Sequence, residues 1–194
     1  MRSSKGSRKP NIIWKKNLIS YIAMRSVSSM GSIQLLKMAK EKSMNFCQNL
    51  PTCSYWRVVV RSDAAWNEAK KVAGLGWIIK SQNRASVFSE PARFVGSPLV
   101  AEGMALREAV LKCRDLGLPR LRCESDCAQL IKALTSDQSF SELYGIVEDI
   151  KSVSFSFDFI SFAWISREFN READELAKNK LSSELVLMAT TNFG

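Results

Sequence analysis

The chain of 194 residues contains no histidine. That absence removes Ser-His-Asp and Cys-His nucleophile systems, and most zinc hydrolase sites, in one step. The five cysteines (Cys47, Cys53, Cys113, Cys123 and Cys127) include no C-x-x-C pair and are odd in number. A disulfide framework or zinc site is therefore disfavoured, and a reducing compartment fits better. Long apolar runs are also missing. The uncharged stretch from Asn17 to Met24 is far too short to span a bilayer, and Ser, Arg and Lys interrupt each stretch that could serve as a secretory signal. The expectation is an intracellular protein with no membrane association.

Acids are almost absent from the first 50 residues, which hold ten Lys and Arg against Glu41 alone. Positions after 50 carry 18 basic and 18 acidic residues, so the whole net charge of +9 sits in the leading segment. Such a segment reads as a nucleic-acid arm, an organelle transit peptide or a solvated tail. These readings put the protein in the nucleus or cytoplasm, or in an organelle if the segment directs import. Residues 33–49 suggest a short helix within it, and Pro51 marks a linker.

What remains is carboxylate chemistry, with oxygen-loving divalent metals as its natural partner. Trp56 to Ser62 reads as a strand rich in Val and ends on Asp63. Gly74 to Lys80 and Arg84 to Val95 read as two more strands, with Pro91 placing the third at an edge. Ser97-Pro98 starts a helix that Gly117 and Pro119 stop. Leu121 to Ser125 is a fourth strand that runs out at Asp126. Two helices, 127–134 and 141–153, precede a fifth strand at 155–165. A last helix spans 170–181. The order implies a mixed sheet with helices packed on it.

Four acids stand out. Glu102 lies at helical spacing with Ala105, Leu106 and Ala109, on the face that should rest on the sheet, where a carboxylate pays for desolvation unless it has a partner. A face-edge residue that snorkels to solvent or pairs with Arg107 is the bland alternative. Asp63 and Asp126 each end a strand, where α/β sheets place their ligand sites; the alternatives are a turn residue and an N-cap. Asp174 lies in the first turn of the last helix, where it also complements the helix dipole. Four converging carboxylates coexist only with bound cations or raised pKa values. Such a cluster suits two Mg²⁺ ions about 3.5–4 Å apart and in-line displacement at phosphorus.

The series Ser62-Asp63-Ala-Ala-Trp66, Ser97-Pro-Leu-Val-Ala-Glu102-Gly-Met-Ala-Leu, Glu124-Ser-Asp126 and Arg167-Glu-Phe-Asn170-Arg-Glu-Ala-Asp174-Glu-Leu-Ala-Lys resembles the ribonuclease H domain of plant non-LTR retroelements and their dispersed single-domain relatives. The resemblance covers residues 54–181, between the basic segment 1–50 and a tail at 182–194. It implies an α/β, ribonuclease H-like fold: a five-stranded mixed sheet, first three strands antiparallel, flanked by helices. It also implies that Asp63, Glu102, Asp126 and Asp174 match the family's metal-binding acids. Two Mg²⁺ ions, or Mn²⁺ in their place, would then serve a monomeric endonuclease that cleaves RNA in RNA–DNA hybrids.

The chain departs from the family pattern in three places. The histidine common before the last acid is missing from Ala163-Trp164-Ile165-Ser166-Arg167. The small pair after the first Asp is Ala64-Ala65. No basic, Trp-rich protrusion follows Asp126. Three functional readings follow: a metal-dependent ribonuclease H, a binding module that kept the fold but lost catalysis, and a retroelement remnant.

Overall fold

The computed structural model describes residues 58–191 apart from 83, 137 and 139. The basic segment, its expected helix at 33–49 and the start of the first strand at Trp56 lie outside the described residues. No helix among those described is long and apolar enough to cross a membrane.

Five strands form one sheet: β1 (Val58–Asn67), β2 (Val72–Ser81), β3 (Ala85–Arg93), β4 (Arg120–Ser125) and β5 (Phe159–Trp164). Their order is β3-β2-β1-β4-β5. The first three pair antiparallel, while β4 lies parallel to β1 and to β5. This is the expected mixed sheet, with Pro91 on the edge strand β3, where its missing N–H costs no ladder bond. Because β1, β3, β4 and β5 all run the same way, their carboxyl ends share one edge of the sheet.

β1 extends past the expected stop at Asp63. The ladder to β2 continues to Asn67, opposite Val72. Asp63 therefore sits inside a strand, paired with β2, and the turn comes only at residues 68–71. Its partner in register is Gly76, which has no side chain.

Helices cover both faces. α1 (Pro98–Asp115) starts as expected, with the Ser97 hydroxyl accepting from the Val100 amide at 3.2 Å. At its other end Gly117 takes φ +66, the left-handed conformation that glycine adopts without strain. Its buried residues Ala101, Ala105, Leu106, Ala109 and Val110 rest on Val60, Leu75 and Trp77. α2 (Ala128–Thr135) and α3 (Tyr144–Ser154) follow, the latter entered through a 3-10 turn at Ser141–Leu143. Alternate residues of β2 serve opposite faces: Ala73, Leu75 and Trp77 belong to the α1 core, while Gly74 and Gly76 abut the last helix, α4 (Arg171–Thr191).

Two boundaries differ from expectation. β5 begins at Phe159, because residues 155–158 turn out of the end of α3. α4 does not stop near Leu181 but runs to Thr191. Its extension is anchored by Glu184, which is buried and accepts from Arg93 Nε at 2.8 Å. The segment expected as a tail is thus mostly helix.

Candidate metal centre

Asp63 comes from the middle of β1, Glu102 from the first turn and a half of α1, and Asp126 from the end of β4. The parallel pairing of β1 with β4, with Arg61 opposite Glu124, carries Asp126 to the level of Asp63. One carboxylate oxygen from each of Asp63, Glu102 and Asp126 lies within 4.8 Å of the other two. Neither the expected Arg107 pairing nor the Asp126 cap is observed. Arg107 pairs with Glu108 at 2.9 Å and Asp149 at 3.3 Å rather than with Glu102. The residue that caps α2 is Cys127, not Asp126.

Asp174 is placed differently. It reaches the same end of the sheet, and its charge acts on Asp63. Its oxygens, however, are held by cations: Oδ1 by Arg167 Nη2 at 3.3 Å and Oδ2 by Lys178 Nζ at 2.6 Å. The structure brings three of the four acids together and holds the fourth beside them in ion pairs. Both partners are largely exposed, so these pairs are weak, on the order of 1 kcal/mol or less each.

Two of the three clustered acids have neutral partners. Asp63 Oδ1 accepts from the Ala64 amide at 2.7 Å. The Asn170 amide donates to Asp63 Oδ2 at 3.0 Å, to Asp126 Oδ1 at 2.8 Å and to the Ser62 carbonyl at 3.0 Å. Asn170 is buried and ties two of the acids to one donor. The sequence places Asn170 in the last motif, at the start of the expected helix, with nothing to mark it as part of the site. No spacing rule in the chain signals that it reaches across 107 positions to Asp63.

Two acceptors here have no partner: Glu102 Oε2 and Asn170 Oδ1, both buried. A buried acceptor without a donor costs free energy unless something positive meets it. Charge points the same way. Burial, with the charges of Asp126 and Asp174, raises Asp63 from 3.8 to about 6. Burial, with the charges of Asp63 and Asp126, pushes Glu102 well above the usual carboxylate range. Three mutually repelling, oxygen-only ligands with an unpartnered Glu102 oxygen among them fit a hard divalent cation such as Mg²⁺ or Mn²⁺. The neighbouring thiol does not compete: burial, with the charges of Glu102 and Asp126, raises Cys127 above the usual thiol range.

The sheet order, the helices on both faces and the acids at the carboxyl edge define a ribonuclease H-like protein. The chain belongs to the reverse transcriptase-like family, whose model matches residues 61–180. Among solved structures it is similar to the RNase H1 of the halophilic archaeon Halobacterium salinarum, at 23% identity and a TM-score of 0.61, covering 66% of this chain and 98% of that one. LC11-RNase H1 in complex with an RNA/DNA hybrid matches at 18% identity and a TM-score of 0.60, covering 66% and 99%. The N-terminal RNase H domain of a Mycobacterium tuberculosis protein matches at 18% and 0.59, covering 65% and 94%. No curated protein sequence matches the chain.

Proposed function

We propose that the chain is a metal-dependent endonuclease that cuts the RNA strand of RNA–DNA hybrids, with Asp63, Glu102, Asp126 and Asp174 as its metal-binding and catalytic acids. The observation that carries this reading is the cluster of three carboxylates, with one buried Glu102 oxygen and the buried Asn170 amide oxygen lacking partners. That a similar fold, LC11-RNase H1, has been seen with an RNA/DNA hybrid supports the substrate class. Divalent ions bound here would polarise the scissile phosphate and activate water for in-line displacement.

The chain's own residues do the rest. Asp63, Glu102 and Asp126 hold the ions, and Asn170 fixes two of those carboxylates in one orientation. Asp174 completes the set once Arg167 and Lys178 release it. Arg167, with 74% of its side chain exposed, is free to swing to a phosphate as it does so. Hybrid selection by such sites rests on the 2′-hydroxyl and backbone shape rather than base edges. Residues 54–181 form the catalytic unit, acting as a monomer in the nucleus, cytoplasm or an organelle, and the basic segment 1–50 adds salt-sensitive affinity for nucleic acid.

Without a histidine, proton transfer lacks its usual shuttle, and the rate should fall by a general acid–base share, roughly 10²–10⁴-fold. The test is an end-labelled RNA–DNA hybrid incubated with the full chain and Mg²⁺ or Mn²⁺. Slow cleavage confined to the RNA strand, stopped by chelator, is the expected result. Tight hybrid binding with no cleavage under either ion would make the chain a binding module that kept its acids.

A further inference from the structure

Phe94, immediately after β3, is 95% exposed and has φ +60. A bulky side chain in the left-handed region is strained, and a ring left in water gains nothing from folding. The conformation is enforced nonetheless. The Val95 amide donates to the Lys71 carbonyl at 2.8 Å, the Trp66 indole N–H donates to the Val95 carbonyl at 3.0 Å, and Val95 itself is buried. Lys71 is also left-handed, at φ +51, with its ammonium 5.0 Å from the centre of the Trp66 ring. The bond from Val95 to Lys71 thus ties the two left-handed positions together, and the product is an aromatic ring held out beside Lys71. Glu68 is the acid in that turn, and Arg93 is taken up by Glu184.

The ring stands at the carboxylate end of the sheet. Asp63 is level with Gly76 and, through it, with Ser89, five residues before Phe94. Strand rise and spacing put Phe94 roughly 15–20 Å from the acids, a span of a few nucleotides. On the other flank Trp164 is 55% exposed, with its indole N–H donating to the Asp126 carbonyl at 2.9 Å. Phe169, 63% exposed, follows two residues after Arg167.

We infer that this edge is a nucleic-acid-binding face gripped by aromatic rings, with Phe94 on one flank and Trp164 on the other, in place of a basic protrusion. Its occupant is a strand leaving the carboxylates, whose unpaired bases stack on the rings while its phosphates meet the neighbouring lysines and Arg167. The direction of that strand rests on the proposed function. Lys70 and Lys71 in the turn beside Phe94, with Arg167 three residues after Trp164, favour a polyanion over a protein partner.

The experiment is binding of a fluorescent RNA–DNA hybrid with single-stranded ends to the full chain in chelator, so that nothing is cut. Salt of about 0.2 M suppresses the contribution of the basic segment. Phe94→Gly should weaken binding about tenfold and raise the melting temperature, because glycine accepts this backbone without strain. Phe94→Trp should keep the affinity and report it by fluorescence quenching. Equal binding by Phe94→Gly and the parent would overturn the inference. So would a fall in melting temperature with Phe94→Gly, which would make the ring structural, or loss of a parent dimer, which would make it a self-association contact. Cleavage is scored separately. Phe94-dependent binding without cleavage keeps this inference and sinks the enzymatic reading, and cleavage with Phe94 indifferent does the reverse.

Discussion

Asp63→Asn is expected to reduce Mg²⁺-dependent hybrid cleavage at least about 10³-fold while leaving the protein folded. The substitution keeps the size of the side chain and removes one charge from the centre of the cluster. A divalent ion stabilises charge in a phosphoryl transition state by several kcal/mol, and each 1.36 kcal/mol lost is a factor of about ten. Asp63 is the acid that the others meet: it shares Asn170 with Asp126, lies with Glu102 and Asp126 in one 4.8 Å group, and feels the charge of Asp174. Initial rates on labelled hybrid, with circular dichroism as a check on folding, measure the effect. Equal rates for the variant and its parent would mean that the activity belongs to a contaminant.

The second large effect falls on stability. Gly74→Ala should cost about 3 kcal/mol or more, read as the midpoint shift in chemical denaturation. A Cβ at position 74 would stand 2.1 Å from the Ala177 carbonyl oxygen and 2.4 Å from the Leu181 amide nitrogen. Both are backbone atoms of α4, so no rotamer change relieves the clash and the helix must move off the sheet. Overpacking a core ordinarily costs 1–3 kcal/mol. Here the whole helix pays, and with it the placement of Asn170 and Asp174 at its start. A midpoint within experimental error of the parent would show that α4 does not seat on β2 as described.

The mixed sheet could be read from the sequence because its signals are local. Ser97-Pro98 caps a helix in any fold, Gly117 ends one, and Pro91 excludes a central strand. The acids were legible for a related reason. Glu102 on an apolar face conflicts with burial, and such a conflict persists only where a site repays it. The end of β1 was misread because an Asp after a run of Val resembles a stop, and only the ladder to Gly76 shows that it continues. The length of α4 was misread because Glu184 reads as a surface acid until Arg93 is found, 91 positions away, as its partner. Asn170 and Phe94 stayed hidden for the same physical reason. One is defined by what it reaches across the fold, the other by a backbone angle, and neither leaves a pattern in neighbouring residues.

The central claim is that Asp63, Glu102 and Asp126 form a divalent-cation site, and thermal unfolding against pH, with and without Mn²⁺, tests it most directly. Asp63 has its folded pKa raised from 3.8 to about 6, and Glu102 is raised in the same direction. Protonation therefore favours the folded chain. Its contribution is complete below the unfolded value, near 4, and is lost as pH rises through about 6, a change of roughly 2–3 kcal/mol for Asp63 alone. The metal-free protein should melt at progressively lower temperature from pH 4 to pH 7. Saturating Mn²⁺ at pH 7 should recover about 5–10 °C, with no such gain at pH 4, where protons hold the oxygens. A melting temperature at pH 7 that Mn²⁺ leaves unchanged would contradict the account, because the three repelling carboxylates would then have no cation to bind.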